Sequence, residues 1–210
     1  MKLFLAGGGS GDKSKQIDSA FVKTIKKRNP ILYIPLARNP PYGSCLDWIT
    51  SSFARFGLKN FKMARSIKDL KNVKLKRYSA VYIGGGNTFK LLRDIKKIGF
   101  DKKLKTYLKK GGVCYGGSAG AIIFGKDIEL AGVIDDKKRV RIRDLSGLDV
   151  LGGFSVYCHY EKKYEKKIKA YVKRNSAPVI ALPENSGVII EGKIMKPIGK
   201  GKPIVFLPKK

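Results

Sequence analysis

Three times in this chain a short apolar run ends in glycines and gives way to residues at helical spacing, and that recurrence restricts the fold more than any other feature. Leu3 to Ala6 runs into Gly7-Gly8-Gly9 and then Ile17, Phe21 and Ile25. Ala80 to Ile83 runs into Gly84-Gly85-Gly86-Asn87 and a helix from Thr88 to Lys97, capped by Asn87 or Thr88. Gly112 to Tyr115 runs into the turn at Ser118 and an apolar helix from Ala119 to Phe124. Short continuous apolar runs mark strands buried on both faces, and their alternation with helices places them in a parallel sheet. The expected fold class is therefore α/β, a mostly parallel central sheet with helices on both faces.

The remaining segments fit that plan. Ile31 to Leu36 is a strand followed by the turn Asn39-Pro40-Pro41 and a helix from about Ser44, a plausible N-cap, to about Phe56. Phe61 to Met63 is a weaker strand, and Lys102 to Lys109 a helix. Ser155 to Cys158 is a strand, Lys162 to Lys173 a basic amphipathic helix, and Pro178 to Leu182 a strand ending at Pro183-Glu184. Gly187 to Lys193 and Pro203 to Phe206 read as the strands of a C-terminal β-hairpin. With no repeat or linker to divide them, the 210 residues are expected to form one domain, 1–210.

Composition narrows the setting. Cys45, Cys114 and Cys158 form no C-x-x-C pair and leave an odd thiol, which disfavours a disulfide framework or a zinc site and fits a reducing, cytoplasmic compartment. The apolar N-terminal run is too short for a signal peptide, and the charge-free stretch from Gly111 to Gly125 is too short and glycine-rich to cross a membrane. No membrane association, cofactor or metal is expected. Lys and Arg number 45 against 16 acids, a net charge of +29 that would attract nucleic acid or acidic substrates at long range. The lysines are spread over the whole chain, the pattern of a solvated surface with non-specific nucleic-acid contact as the rival use.

The chemistry concentrates at Gly116-Gly117-Ser118-Ala119-Gly120. A G-x-S-x-G turn between strand and helix exposes the serine hydroxyl and aims backbone N–H groups at a reacting carbonyl, so Ser118 is the candidate nucleophile. Serine needs a base, and His159 is the one histidine, placed at the end of a strand and hence at the carboxyl edge that also carries Ser118. Glu184, after the next strand, is the first choice to orient that base; Asp127, Asp135 and Asp144 compete for the role. The loop Gly84 to Asn87 lacks the rest of a phosphate-binding fingerprint and reads as backbone approaching substrate, with Gly85 and Asn87 as binding positions and the amides of Gly86 and Ala119 as oxyanion donors.

Four segments, Tyr82 to Leu92, Tyr115 to Ala121, Cys158-His159-Tyr160 and Ala181-Leu182-Pro183-Glu184, occur here in the order found in the peptidase E family of serine peptidases, which the chain resembles from Met1 to about Gly192. That family includes aspartyl dipeptidases and cyanophycinases on a fold related to class I glutamine amidotransferases. The resemblance implies Ser118, His159 and Glu184 as a triad, Gly86 and Ala119 as oxyanion donors, short peptides such as Asp-X dipeptides as substrates, and a homodimer. The stretch from His159 to Glu184 is shorter than in the aspartyl dipeptidases, and their substrate-recognising arginine has no evident counterpart in it. The rival activities are an esterase or amidase on the same scaffold, or nucleic-acid binding without catalysis; a glutaminase is disfavoured because Cys114 lies four residues before the turn position.

Overall fold

The computed structural model describes residues 1–26, 28–134 and 140–209. In chain order its elements are β1 (Lys2–Ala6), α1 (Lys15–Thr24), β2 (Ile31–Ile34), α2 (Gly43–Ala54), β3 (Phe61–Met63), α3 (Ile67–Asn72), β4 (Ala80–Ile83) and α4 (Thr88–Lys97). There follow α5 (Phe100–Lys109), β5 (Val113–Gly117), α6 (Ala119–Ile122), β6 (Ser155–Cys158), α7 (Glu165–Asn175), β7 (Val179–Leu182), β8 (Ser186–Glu191), β9 (Ile194–Gly199) and β10 (Ile204–Phe206). A 3-10 turn, Gly11–Lys13, leads into α1.

The main sheet has the order β3-β2-β4-β5-β1-β8-β9. Its first five strands are parallel, and β8 and β9 extend it antiparallel beyond β1. The runs Ile31–Ile34 and Ala80–Ile83 are buried at every residue, as strands covered on both faces must be. On one face Phe21 of α1 and Phe53 of α2 meet Tyr82 and Tyr115 edge-on, while those two tyrosines stack on each other at 4.4 Å. Side chains alternate along a strand, so the neighbour of Tyr115, Gly116, faces the opposite side, where α6 packs so closely that a Cβ there would lie 2.4 Å from the Gly120 carbonyl oxygen. Gly120 in turn admits no Cβ, because the Ile83 oxygen would be 2.2 Å away. The two glycines of the serine turn thus seat α6 directly on β5 and β4.

A second sheet, of order β10-β7-β6, corrects the expected C-terminal arrangement. β8 and β9 do form a hairpin, but β10 leaves them and pairs antiparallel with β7. The reason is burial: Val179–Leu182 is inaccessible along its length and needs a partner on both edges, and β10 supplies the one that β6 does not. Phe206 then packs on Tyr160 and joins the small core around Tyr157, Ile168 and Tyr171.

Helix ends also differ in places. α2 starts at Gly43 with Tyr42 in the cap position and no side-chain cap bond, so Ser44 lies inside the first turn and is not the cap. α6 ends at Ile122, and α7 begins at Glu165 after a 3-10 turn, Lys162–Tyr164. α4 follows expectation: Asn87 accepts from the Lys90 amide, Phe89, Leu91, Leu92 and Ile95 are buried, and Lys96 and Lys97 complement the C-terminal end of the helix dipole. Among the described residues no helix is long and apolar enough to cross a membrane.

Candidate active site

Ser118 sits between β5 and α6 at φ 51°, ψ −113°, outside the regions an L residue ordinarily occupies. Such a backbone costs of order 1–3 kcal/mol and persists only where its surroundings hold it. Here the amide of Ser118 donates to the Ala6 carbonyl at 3.1 Å, and its carbonyl receives the Ala121 and Ile122 amides that start α6. The result points the hydroxyl across the carboxyl edge, where Oγ lies 2.8 Å from His159 Nε2.

His159 leaves β6 at φ 54° and is tied by its amide to the Gly7 carbonyl at 2.9 Å. Its ring lies on the backbone of Gly8, where a Cβ would be 2.2 Å from Cε1; Gly8 also has φ 119°, so only glycine fits twice over. The other ring nitrogen, Nδ1, is 3.1 Å from Glu184 Oε1. The Lys13 ammonium, then the His159 imidazole, hold the Glu184 carboxyl below the usual range. An ionised carboxylate only accepts, so Nδ1 carries the proton and Nε2 is left to accept from the serine hydroxyl.

The loops bearing these groups come from both sheets and are joined at Gly7 to Gly9. Gly7 N–H donates to Ser186 O at 2.9 Å and Gly9 N–H to Glu184 O at 3.1 Å, while Tyr160 N–H reaches Leu182 O at 3.0 Å. Nothing in the triple glycine signals this by itself; its use becomes visible only once the segments around 159 and 184 are folded against it.

The positions read as oxyanion donors flank the hydroxyl. Ala119 is the first residue of α6, whose N–H has no intrahelical acceptor, and a Cβ on Gly85, next to Gly86, would be 3.2 Å from the Ser118 Cβ. Asn87 anchors this loop through its amide to Ala37 O at 2.8 Å and its Oδ1 to the Lys90 amide at 2.8 Å, so its side chain is engaged as a helix cap as well as bordering the site. Beside Gly86 and Asn87 opens a cavity of about 550 Å³ also lined by Ala37, Arg38, Ser44 and Cys45. A smaller one, about 230 Å³, shares Arg38 and adds Tyr33 and Trp48. Arg38 is therefore a cation beside the Gly86-Asn87 loop that the sequence did not single out.

Two of the three competing acids are engaged elsewhere. Asp127 takes hydrogen bonds from Tyr171 and Ser155 and bridges to Ser146. Asp144 pairs with Lys96 at 2.5 Å, and that contact, with the Ser146 amide, brings its carboxyl down to about 2. Asp135 falls outside the described residues. Among the described residues no cluster of His, Cys, Asp and Glu is arranged to hold a metal ion. Lys13 was missed altogether: its Nζ lies 2.6 Å from Glu184 Oε2, 171 residues away in sequence.

A strained serine after a strand of the main sheet, facing an imidazole and a carboxylate that follow strands of the second sheet, has the layout of a serine hydrolase. The chain belongs to peptidase family S51, whose family model matches residues 3–198. It is 30% identical over 124 residues to an uncharacterised peptidase of Listeria monocytogenes, covering 57% of this chain and 60% of that protein. It is 26% identical over 144 residues to one of Pasteurella multocida, covering 67% and 63%. The chain thus spans less than two thirds of the length of these relatives. A solved Listeria monocytogenes structure assigned as a peptidase E superposes with a TM-score of 0.73 at 22% identity, over 95% of this chain and 98% of that one. A peptidase from an acI-B1 actinobacterium gives 0.73 at 16% identity, over 100% and 95%. At these identities the two structures establish the fold, the mostly parallel α/β sheet expected from the sequence.

Proposed function

We propose that the protein is a serine peptidase of short peptides, with Ser118 as nucleophile, His159 as base and then acid, and Glu184 as the orienting carboxylate. The observation that carries this reading is the unbroken series Ser118 Oγ to His159 Nε2 at 2.8 Å and His159 Nδ1 to Glu184 Oε1 at 3.1 Å. Attack of Oγ on the scissile carbonyl passes its proton to Nε2, and the imidazolium is stabilised by the Glu184 charge. The amides of Gly86 and Ala119 receive the oxyanion, each donor of this kind contributing ~3 kcal/mol. The imidazolium protonates the leaving amine, and water, deprotonated by the same nitrogen, hydrolyses the acyl-enzyme.

For substrate, the likeness to aspartyl dipeptidases favours Asp-X dipeptides, and Arg38 in the cavity beside Gly86 supplies a charge suited to an acidic side chain. A cytoplasmic setting belongs to the same proposal, resting on the absence of a disulfide pattern in the sequence. The test is labelling with a fluorophosphonate, which reports an activated serine without presuming a substrate. The expected result is one adduct, on Ser118 by mass spectrometry, lost in His159→Ala. An unlabelled but folded wild-type protein would refute the mechanism. Labelling without turnover of Asp-X, against turnover of other esters or peptides, would keep the mechanism and discard the specificity.

A further inference from the structure

Among the described residues Lys13 is the cation from outside the proposed triad that pairs with Glu184, and the carboxylate divides its oxygens between two partners. Oε2 receives the Lys13 ammonium at 2.6 Å and Oε1 the imidazole Nδ1 at 3.1 Å. We propose that Lys13 is a positioning residue of the site, a fourth member that holds Glu184 in the orientation from which it receives His159. The proposal rests on the reading of Ser118, His159 and Glu184 as a triad.

Long-range pairs such as Lys2 with Glu191 and Lys96 with Asp144 also occur on this surface, so what marks Lys13 with Glu184 is its contact with the His159 partner and the bracing of both its loops. Lys163 with Glu161 and Lys169 with Glu165 are neighbours within one segment, brought together by local geometry. Lys13 is instead delivered from the far end of the chain by a braced turn. Arg55 of α2 donates to the Gly11 carbonyl at 2.6 Å and pairs with Asp12 at 3.3 Å, and Ser14 closes the turn on buried Asp18 at 2.7 Å. The loop of Glu184 is fastened to the same segment by the Gly9 amide, and a Cβ on Gly9 would lie 2.6 Å from the Lys13 Cβ. Both ends of the pair are thus rooted in one joined pair of loops.

The need for such a clamp follows from exposure. The Glu184 side chain is 44% accessible, and an exposed glutamate left with one partner is free to rotate into water, at a cost in rotamer entropy whenever it returns. A second contact on the opposite oxygen removes that freedom.

The experiment measures the rate of fluorophosphonate labelling of the full chain from pH 5 to pH 9 in wild type, Lys13→Met, Lys13→Arg and Ser118→Ala, with thermal melting of each. Lys13→Met is expected to label more slowly by on the order of tenfold at neutral pH, a part of what general-base catalysis supplies. Lys13→Arg should restore the rate, with melting temperatures unchanged. Wild-type labelling on Ser118 with an identical rate and pH profile in Lys13→Met overturns the positioning role alone. Absence of labelling in wild type overturns the triad reading, and the role of Lys13 with it.

Discussion

The Lys13 ammonium and the His159 ring both favour the ionised form of Glu184, and a side chain nearly half open to solvent pays little desolvation against it. Its folded-state pKa is depressed, so the stability it contributes is complete above the ordinary glutamate value and is lost as pH falls through the lowered one. Ionisation of Glu184 accordingly does not set the acid limit of activity. In Glu184→Gln the neutral amide no longer stabilises the imidazolium and its NH₂ group is free to face Nδ1, which selects the wrong tautomer. The expected outcome is a fall in the labelling rate of roughly 10³ with a melting temperature close to wild type; a rate within threefold of wild type would remove Glu184 from the mechanism. That Ser118, His159 and Glu184 could meet was legible because each follows a strand in the sequence; that they meet between two sheets, at Gly7 to Gly9, and not along one edge, was not. Lys13 was not: it is one of 45 basic residues, and only the fold says which of them meets the acid.

At the scale of elements, α4 shows how a helix start and a reaction site share one loop. Asn87 caps the helix with its side chain and ties Gly86 to the strand-β2 loop with its amide. Replacing it with alanine removes the cap, about 1 kcal/mol, which for a chain of this size lowers the melting temperature by roughly 2–4 °C. If Gly86 donates to the oxyanion, the same change should lower kcat about tenfold on a slow ester substrate while KM moves less than about threefold. Equal losses in both would mean that the loop binds substrate without favouring the transition state. The cap was readable from Asn87-Thr88 before an apolar periodic run. The start of α2 was not, since Ser44 looks like a cap but the cap position falls two residues sooner, on Tyr42, after the Pro40-Pro41 turn. The destination of β10 was equally hidden, because three apolar residues carry no sign of which open strand edge they will complete.

Across the whole molecule the net charge of +29 sets a long-range field that favours anionic ligands. The proposed preference for acidic peptides then has a kinetic signature distinct from any local contact. Raising NaCl from about 20 to 300 mM shrinks the screening length severalfold and should reduce kcat/KM for an Asp-X substrate several times more than for its Asn-X counterpart. Parallel salt curves for the two would show that the field plays no part in capture. The parallel α/β plan was evident from strands alternating with helices. The division into two sheets was not, because apolar runs report that a strand is buried and say nothing of which sheet buries it.

The joining of both sheets at Gly7 to Gly9 bears on synthesis as well as catalysis. Ser118 is made first, His159 41 residues later and Glu184 25 after that, while β1, whose end and following glycines tie all three segments, waits for β8 as its second neighbour. In synthesis from N to C the segments of Ser118, His159 and Glu184 can meet at Gly7 to Gly9 only once Glu184 has been added, so the proposed site assembles late however early its serine is made.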